Sequence, residues 1–131
     1  MLALDTNVLV RYLAQDDARQ AALATRLIEK QLTPAERGYI SLVALLETVW
    51  VMESCYGADA GAVSNILSEL LDTATLEVQD AAAIRSALLP YARGGVDLHD
   101  CLIVALAAQR KARVVTFDAK AAKRLGMDLL R

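Results

Sequence analysis

Met1 to Leu4 is an uninterrupted apolar run that stops at Asp5-Thr6-Asn7 and resumes as Val8-Leu9-Val10. A run too short for a helix and closed by a carboxylate predicts a buried strand that delivers Asp5 to the edge of a core. Asn7 to Leu13 continues as a short apolar helix. Asp16 to Lys30 is amphipathic, with Ala18, Ala22 and Ile28 among its apolar positions and the two acids Asp16 and Asp17 at its positive end. Gln31 to Arg37 reads as a loop and Gly38 to Ile40 as a short strand; Ser41 is a good N-cap for a helix running to about Ser54. Asp59 to Asp72 is a further helix, and Thr75 to Val78 alternates as a strand does.

The second half repeats the alternation. Ala81 to Arg93 is helical with a disturbance at Pro90, and Gly94-Gly95 ends it. Asp97 to Lys111 is a long apolar helix, Arg113 to Phe117 a β-branched strand, Ala119 to Leu125 a last helix closed by Gly126, and Met127 to Leu130 a small edge strand. Strands alternating with helices imply βαβ units with right-handed crossovers. The expected class is therefore α/β: a three-layer sandwich whose central parallel sheet has four to five strands and is covered by helices on both faces. No repeat, low-complexity tract or linker interrupts the chain, so residues 1–131 are expected to form a single domain.

Composition narrows the function by exclusion. Hydrophobic residues make up 56% of the chain, and the mean hydropathy is +0.34, yet charges break every apolar stretch well short of the roughly 18 residues a membrane span needs. No membrane association is expected. Nor does a cationic leader open the chain, because Asp5 comes too early, so a cytoplasmic protein is expected. Cys55 and Cys101 are too few for a disulfide framework or a thiolate metal site and read as reduced packing residues. A net charge of −2 does not announce a nucleic-acid binder, although Arg110 to Arg131 gathers seven basic residues against Asp118 and Asp128.

The candidate chemistry lies in acids at unusual positions. Ligands of such sheets gather beyond the carboxyl ends of the strands, where Asp5 and Asp118 would stand. Each could equally be a helix cap or turn residue. Glu47 sits in SLVALLETVWVMES, a helix apolar nearly all round, where burying a carboxylate is costly unless a cation or donors meet it; a wet edge beside Thr48 is the alternative. Asp97 and Asp100 open VDLHDCLIVALA three residues apart. Capping accounts for Asp97 but less well for Asp100, whose helix has almost no polar face. His99, the single histidine, has no Ser or Cys in a suitable setting and forms no triad. Three or four carboxylates round one sheet edge, with no matched buried cations, would repel one another unless they hold a metal or share protons. All-oxygen ligation selects Mg²⁺ or Mn²⁺, and a phosphodiester is the natural substrate for a water held by such an ion.

LDTN near the start, ISLVALLE in the middle, DLHDCLIVALA later and VVTFD towards the end together resemble the PIN-domain ribonucleases, in particular VapC-type toxins of bacterial type II toxin–antitoxin pairs. The resemblance covers essentially the whole chain. It implies that the acidic quartet is Asp5, Glu47, Asp100 and Asp118, acting as catalytic and metal-binding residues, with Asn7, Asp97 and Thr116 in support. It also implies Mg²⁺- or Mn²⁺-dependent endonucleolytic cleavage of RNA to a 5′-phosphate and a 3′-hydroxyl, a homodimer, and inhibition by a cognate antitoxin protein. Competing readings are a DNA-directed nuclease or phosphatase on the same acids and a non-catalytic binding module. A phosphoacceptor receiver domain would need paired acids after the first strand, and only Asp5 is there.

Overall fold

The computed structural model of the chain describes residues 1–131. The chain divides into two compact units, Met1–Gln79 and Asp80–Arg131.

The first unit carries β1 (Leu2–Ala3), α1 (Thr6–Ala14), α2 (Ala18–Arg26), β2 (Gly38–Ile40), α3 (Leu42–Tyr56), α4 (Ala60–Asp72) and β3 (Leu76–Val78). The three strands form a parallel sheet in the order β1-β2-β3, with Leu2 opposite Gly38 and Ile40 opposite Val78. A Cβ at Gly38, in the middle of this sheet, would lie 2.7 Å from Leu32 Cδ1 and 3.2 Å from Leu4 Cδ1, so a larger residue would require the Leu32 side chain to shift. Capping fixes the helix starts. The carboxylates of Asp5, Asp17 and Asp59 and the Ser41 hydroxyl each accept a backbone N–H in the first turn. α2 ends in a π-helical turn, Leu27–Gln31, where Leu32 N–H reaches back to Leu27 C=O at 2.8 Å. Leu9, Ile28, Ile40, Leu45, Val63 and Leu67 form the centre of the core, each under 2% exposed.

The second unit carries α5 (Ala81–Ala92), α6 (Leu98–Gln109), β4 (Val115–Thr116), α7 (Ala119–Leu125) and β5 (Asp128–Leu129). α5 and α6 pack together over Ala83, Ile84, Ala87, Tyr91, Leu98, Cys101 and Leu102, all buried. Pro90 lies in the last turn of α5, and Gly94 and Gly95 follow with φ of +80° and +77°. β4 pairs in parallel only with β5, through Asp128 N–H to Val114 C=O and Leu130 N–H to Thr116 C=O.

Several expectations need correcting: the strand that leads to Asp5 is exposed at Leu2 and Ala3, with only Leu4 beyond it buried, and Cys55 is exposed instead of packed. The main sheet has three strands, not four to five, because the ladder of β4 joins β5 in a separate two-stranded sheet. The alternation of strands and helices gives the strand count and the parallel sense, but not which ladders meet. α3 is not buried all round: Ala44, Leu45, Thr48, Val49 and Met52 face inward, while Val43 is 77% and Trp50 59% exposed. α6 is likewise buried chiefly at its N-terminal end, at Leu98, Cys101 and Leu102. In both helices apolar side chains occupy the wet face as well, so periodicity could not tell the two faces apart.

No helix is long and apolar enough to cross a membrane.

Candidate active site

Asp5 follows Leu4, whose N–H donates to Tyr39 C=O at 2.8 Å and carries the sheet pairing to the end of β1. The chain then turns directly into α1 with Asp5 as N-cap: Oδ1 accepts Thr6 N–H at 2.8 Å, and the Asp5 carbonyl accepts from Val8 and Leu9. Strand end and helix start thus fix the backbone on both sides of Asp5, while its side chain stays at the surface. α3 packs against α1 and brings Glu47 to the same place. Asp5, Asn7 and Glu47 line one cleft of about 290 Å³, together with Thr6, Arg11 and Val51. Glu47 is exposed, not trapped in a buried stripe as its neighbours in sequence suggested. The buried polar group is its neighbour Thr48, 1% exposed, whose hydroxyl donates to Ala44 C=O at 2.7 Å.

The other acids lie in the second unit. Asp97 is the N-cap residue of α6 by backbone conformation, yet its side chain makes no capping bond. Capping by its carboxylate therefore does not account for it. Asp100 is half-buried in the first turn of the same helix. Asp118 caps α7, with Oδ1 accepting from Lys120 N–H and Ala121 N–H, both at 3.0 Å. The Thr116 hydroxyl in turn accepts Asp118 N–H at 3.1 Å, so Thr116 orients the turn that presents this acid. His99 is exposed and Cys101 is buried. Burial, and then the charge of Asp100, push the Cys101 thiol up.

No three His, Cys, Asp or Glu side chains are gathered closely enough to hold a metal ion. The first cleft nevertheless offers oxygen donors, the type a hard cation takes. Two carboxylates and a carboxamide are all-oxygen donors, and Mg²⁺ is commonly held by one or two protein carboxylates with water completing its shell. Asp5 Oδ1 accepts the cap hydrogen bond, and the Asp5 and Glu47 carboxylates are the charged oxygen donors among the residues lining the cleft. The cleft also contains Arg11, which the acid pattern did not single out. Asn7 and Arg11 are four apart on α1, a spacing that places them on one face of the helix.

The PIN domain family model matches residues 2–126. The chain belongs to the PIN-domain family. PIN domains are generally nucleases that use divalent metal ions, and the match runs through both units of this one. No curated protein matches the chain. Within this PIN domain, Asp5, Glu47 and Asn7 are the candidate residues that share a cleft, while Asp97, Asp100, Thr116 and Asp118 sit at helix starts and turns of the second unit.

Proposed function

We propose that this PIN domain is a Mg²⁺- or Mn²⁺-dependent endoribonuclease, the toxin of a toxin–antitoxin pair. Residues 1–131 would work as one nuclease domain. The observation that carries the reading is the cleft in which Asp5 and Glu47, taken from a strand end and from a separate helix, share a wall with Asn7. Asp5, Glu47, Asp100 and Asp118 are the proposed metal ligands and catalytic acids, with Asn7, Asp97 and Thr116 supporting them. When bound, the ion would lower the pKa of an attacking water and offset the charge that develops on the phosphoryl oxygens.

The chain's own groups do the rest. The Thr6 N–H fixes the rotation of the Asp5 carboxylate, so the acid enters the cleft already oriented. The Asn7 carboxamide and the Arg11 guanidinium line the same cleft and offer hydrogen bonds to the phosphate being cut. Hydrolysis forms a bond from the water oxygen to phosphorus, breaks the P–O3′ bond, and leaves a 5′-phosphate and a 3′-hydroxyl. The 2′-hydroxyl is the group by which RNA would be told from DNA. A cytoplasmic homodimer and a cognate antitoxin protein as inhibitor complete the proposal.

The deciding experiment offers the purified chain labelled single-stranded RNA, structured RNA and DNA, with Mg²⁺, Mn²⁺ or EDTA, beside Asp5→Asn and Asp100→Asn. Metal-dependent cutting of RNA that both variants lose supports the proposal. Cutting confined to DNA would move the site to a DNA-directed nuclease. No cutting of any substrate, with no thermal stabilisation by Mn²⁺, would leave the acids as structural groups of a binding module.

A further inference from the structure

Beside the acidic cleft lies a larger cavity of about 470 Å³, formed by residues of α1, α2 and the π-helical turn. The two cavities share Asn7 and Arg11 in their walls. Past that wall the character changes. Val8, Leu23 and Leu27 supply apolar surface, Gln20 adds an amide, and no carboxylate lines the cavity. Leu23 is 59% exposed. On the helix it lies between Arg19 and Arg26, four residues before and three after, both exposed. A largely apolar pocket therefore adjoins a cleft lined by two acids, with a guanidinium on the common wall. That guanidinium is held in plane: Arg11 Nε donates to Gln20 Oε1 at 2.8 Å and Nη1 to Asp16 Oδ1 at 3.0 Å.

We propose that this cavity is a nucleotide subsite for single-stranded RNA. The base of a residue next to the cleaved phosphate lies against Val8, Leu23 and Leu27, and the remaining donors of Arg11 hold the phosphate between the two cavities. The volume falls within the range of about 300–1,000 Å³ typical of small-ligand sites. The mixture of one apolar wall, two amides and one guanidinium matches a base and its phosphate. A partner helix would instead need a longer apolar groove for anchors spaced over two turns. The direction of the chain through the pair of cavities rests on the nuclease reading above; the affinity of the pocket for a ribonucleotide does not.

The test is fluorescence anisotropy of a short labelled single-stranded RNA in EDTA, where nothing is cut. Leu23→Glu, a change at an exposed position, should weaken binding about tenfold or more, the loss of one apolar contact of leucine size. Arg11→Gln should weaken it as well and reduce the slope of log affinity against log salt by about 0.7, the loss of one phosphate contact on a single strand. Leu89→Ala, an exposed apolar site on α5, should bind as the unaltered chain does. Wild-type affinity in Leu23→Glu, or no RNA binding by the unaltered chain, overturns the subsite, and the cavity would then be a surface for a protein partner. A chain that binds RNA through Leu23 but cuts nothing keeps the subsite and loses the nuclease. A chain that cuts RNA while Leu23→Glu binds at full strength does the reverse.

Discussion

Asp5 has two tasks that a single substitution can separate. As N-cap it satisfies Thr6 N–H, a role asparagine performs about as well as aspartate. As a cleft acid it supplies charge, which asparagine does not. Asp5→Asn should therefore abolish metal-dependent cleavage while shifting the melting temperature little, whereas Asp5→Ala should lose activity and about 1 kcal/mol of stability, read by denaturant titration. Unequal stabilities of this kind separate the cap from the chemistry. Asp5 and Asp118 were legible from the sequence as acids that follow strands, and each also proves to be a helix cap. Glu47 was found for a reason that does not hold, since it is not buried. Arg11 was missed because one arginine on an amphipathic helix has no local signature. Its significance comes from Asp16 and Gln20, which lie beyond the end of α1 and fix its guanidinium.

Between elements, the C-terminal turn of α3 is tied to the segment joining α1 and α2 by the Tyr56 hydroxyl, which donates to Asp16 Oδ2. That bond holds the Asp16 carboxyl below its ordinary value and raises the Tyr56 phenol. A lowered acid stabilises the fold fully above the ordinary carboxylate pKa and loses its contribution as pH falls through the folded value. A raised phenol stabilises fully below the ordinary tyrosine pKa and loses its contribution as pH rises through the folded value. Tyr56→Phe should therefore melt lower than the unaltered chain at neutral pH. The two melting curves should converge in strong acid and in strong base, as read by thermal scans across pH. Most helices were legible to within a few residues, because caps such as Ser41 and Asp118 and a stop such as Gly126 are written into the sequence. The predicted helix Asp16 to Lys30 is helical to within two residues at both ends, but its last turn, Leu27–Gln31, is π-helical, and an i to i+5 bond leaves no mark in residue type. The joining of ladders was equally illegible, since β1 and β4 are two residues long and their partners are chosen by tertiary packing.

At the scale of the whole molecule, metal should couple to folding. An ion that binds only the folded chain stabilises it by about 2.7 kcal/mol at a hundredfold excess over Kd. Mn²⁺ should therefore raise the melting temperature of the unaltered chain by several degrees and that of Glu47→Gln by less, measured by calorimetry at fixed protein concentration. An equal rise in both would place the ion away from Glu47. The core should respond independently of metal: Leu9→Ala, at a site with no exposed surface, should cost about 2–5 kcal/mol in the presence or absence of Mn²⁺. The α/β class was readable from the alternation of elements, and the PIN family match covers residues 2–126. One further feature turns the protein into its own optical instrument. Trp50 is the single tryptophan of the chain, exposed on α3 and one helical turn from Glu47. Its emission reports from a known address: paramagnetic Mn²⁺ held by Glu47 would quench the fluorescence, diamagnetic Mg²⁺ at the same place would leave it bright, and competition between them could be followed without any label.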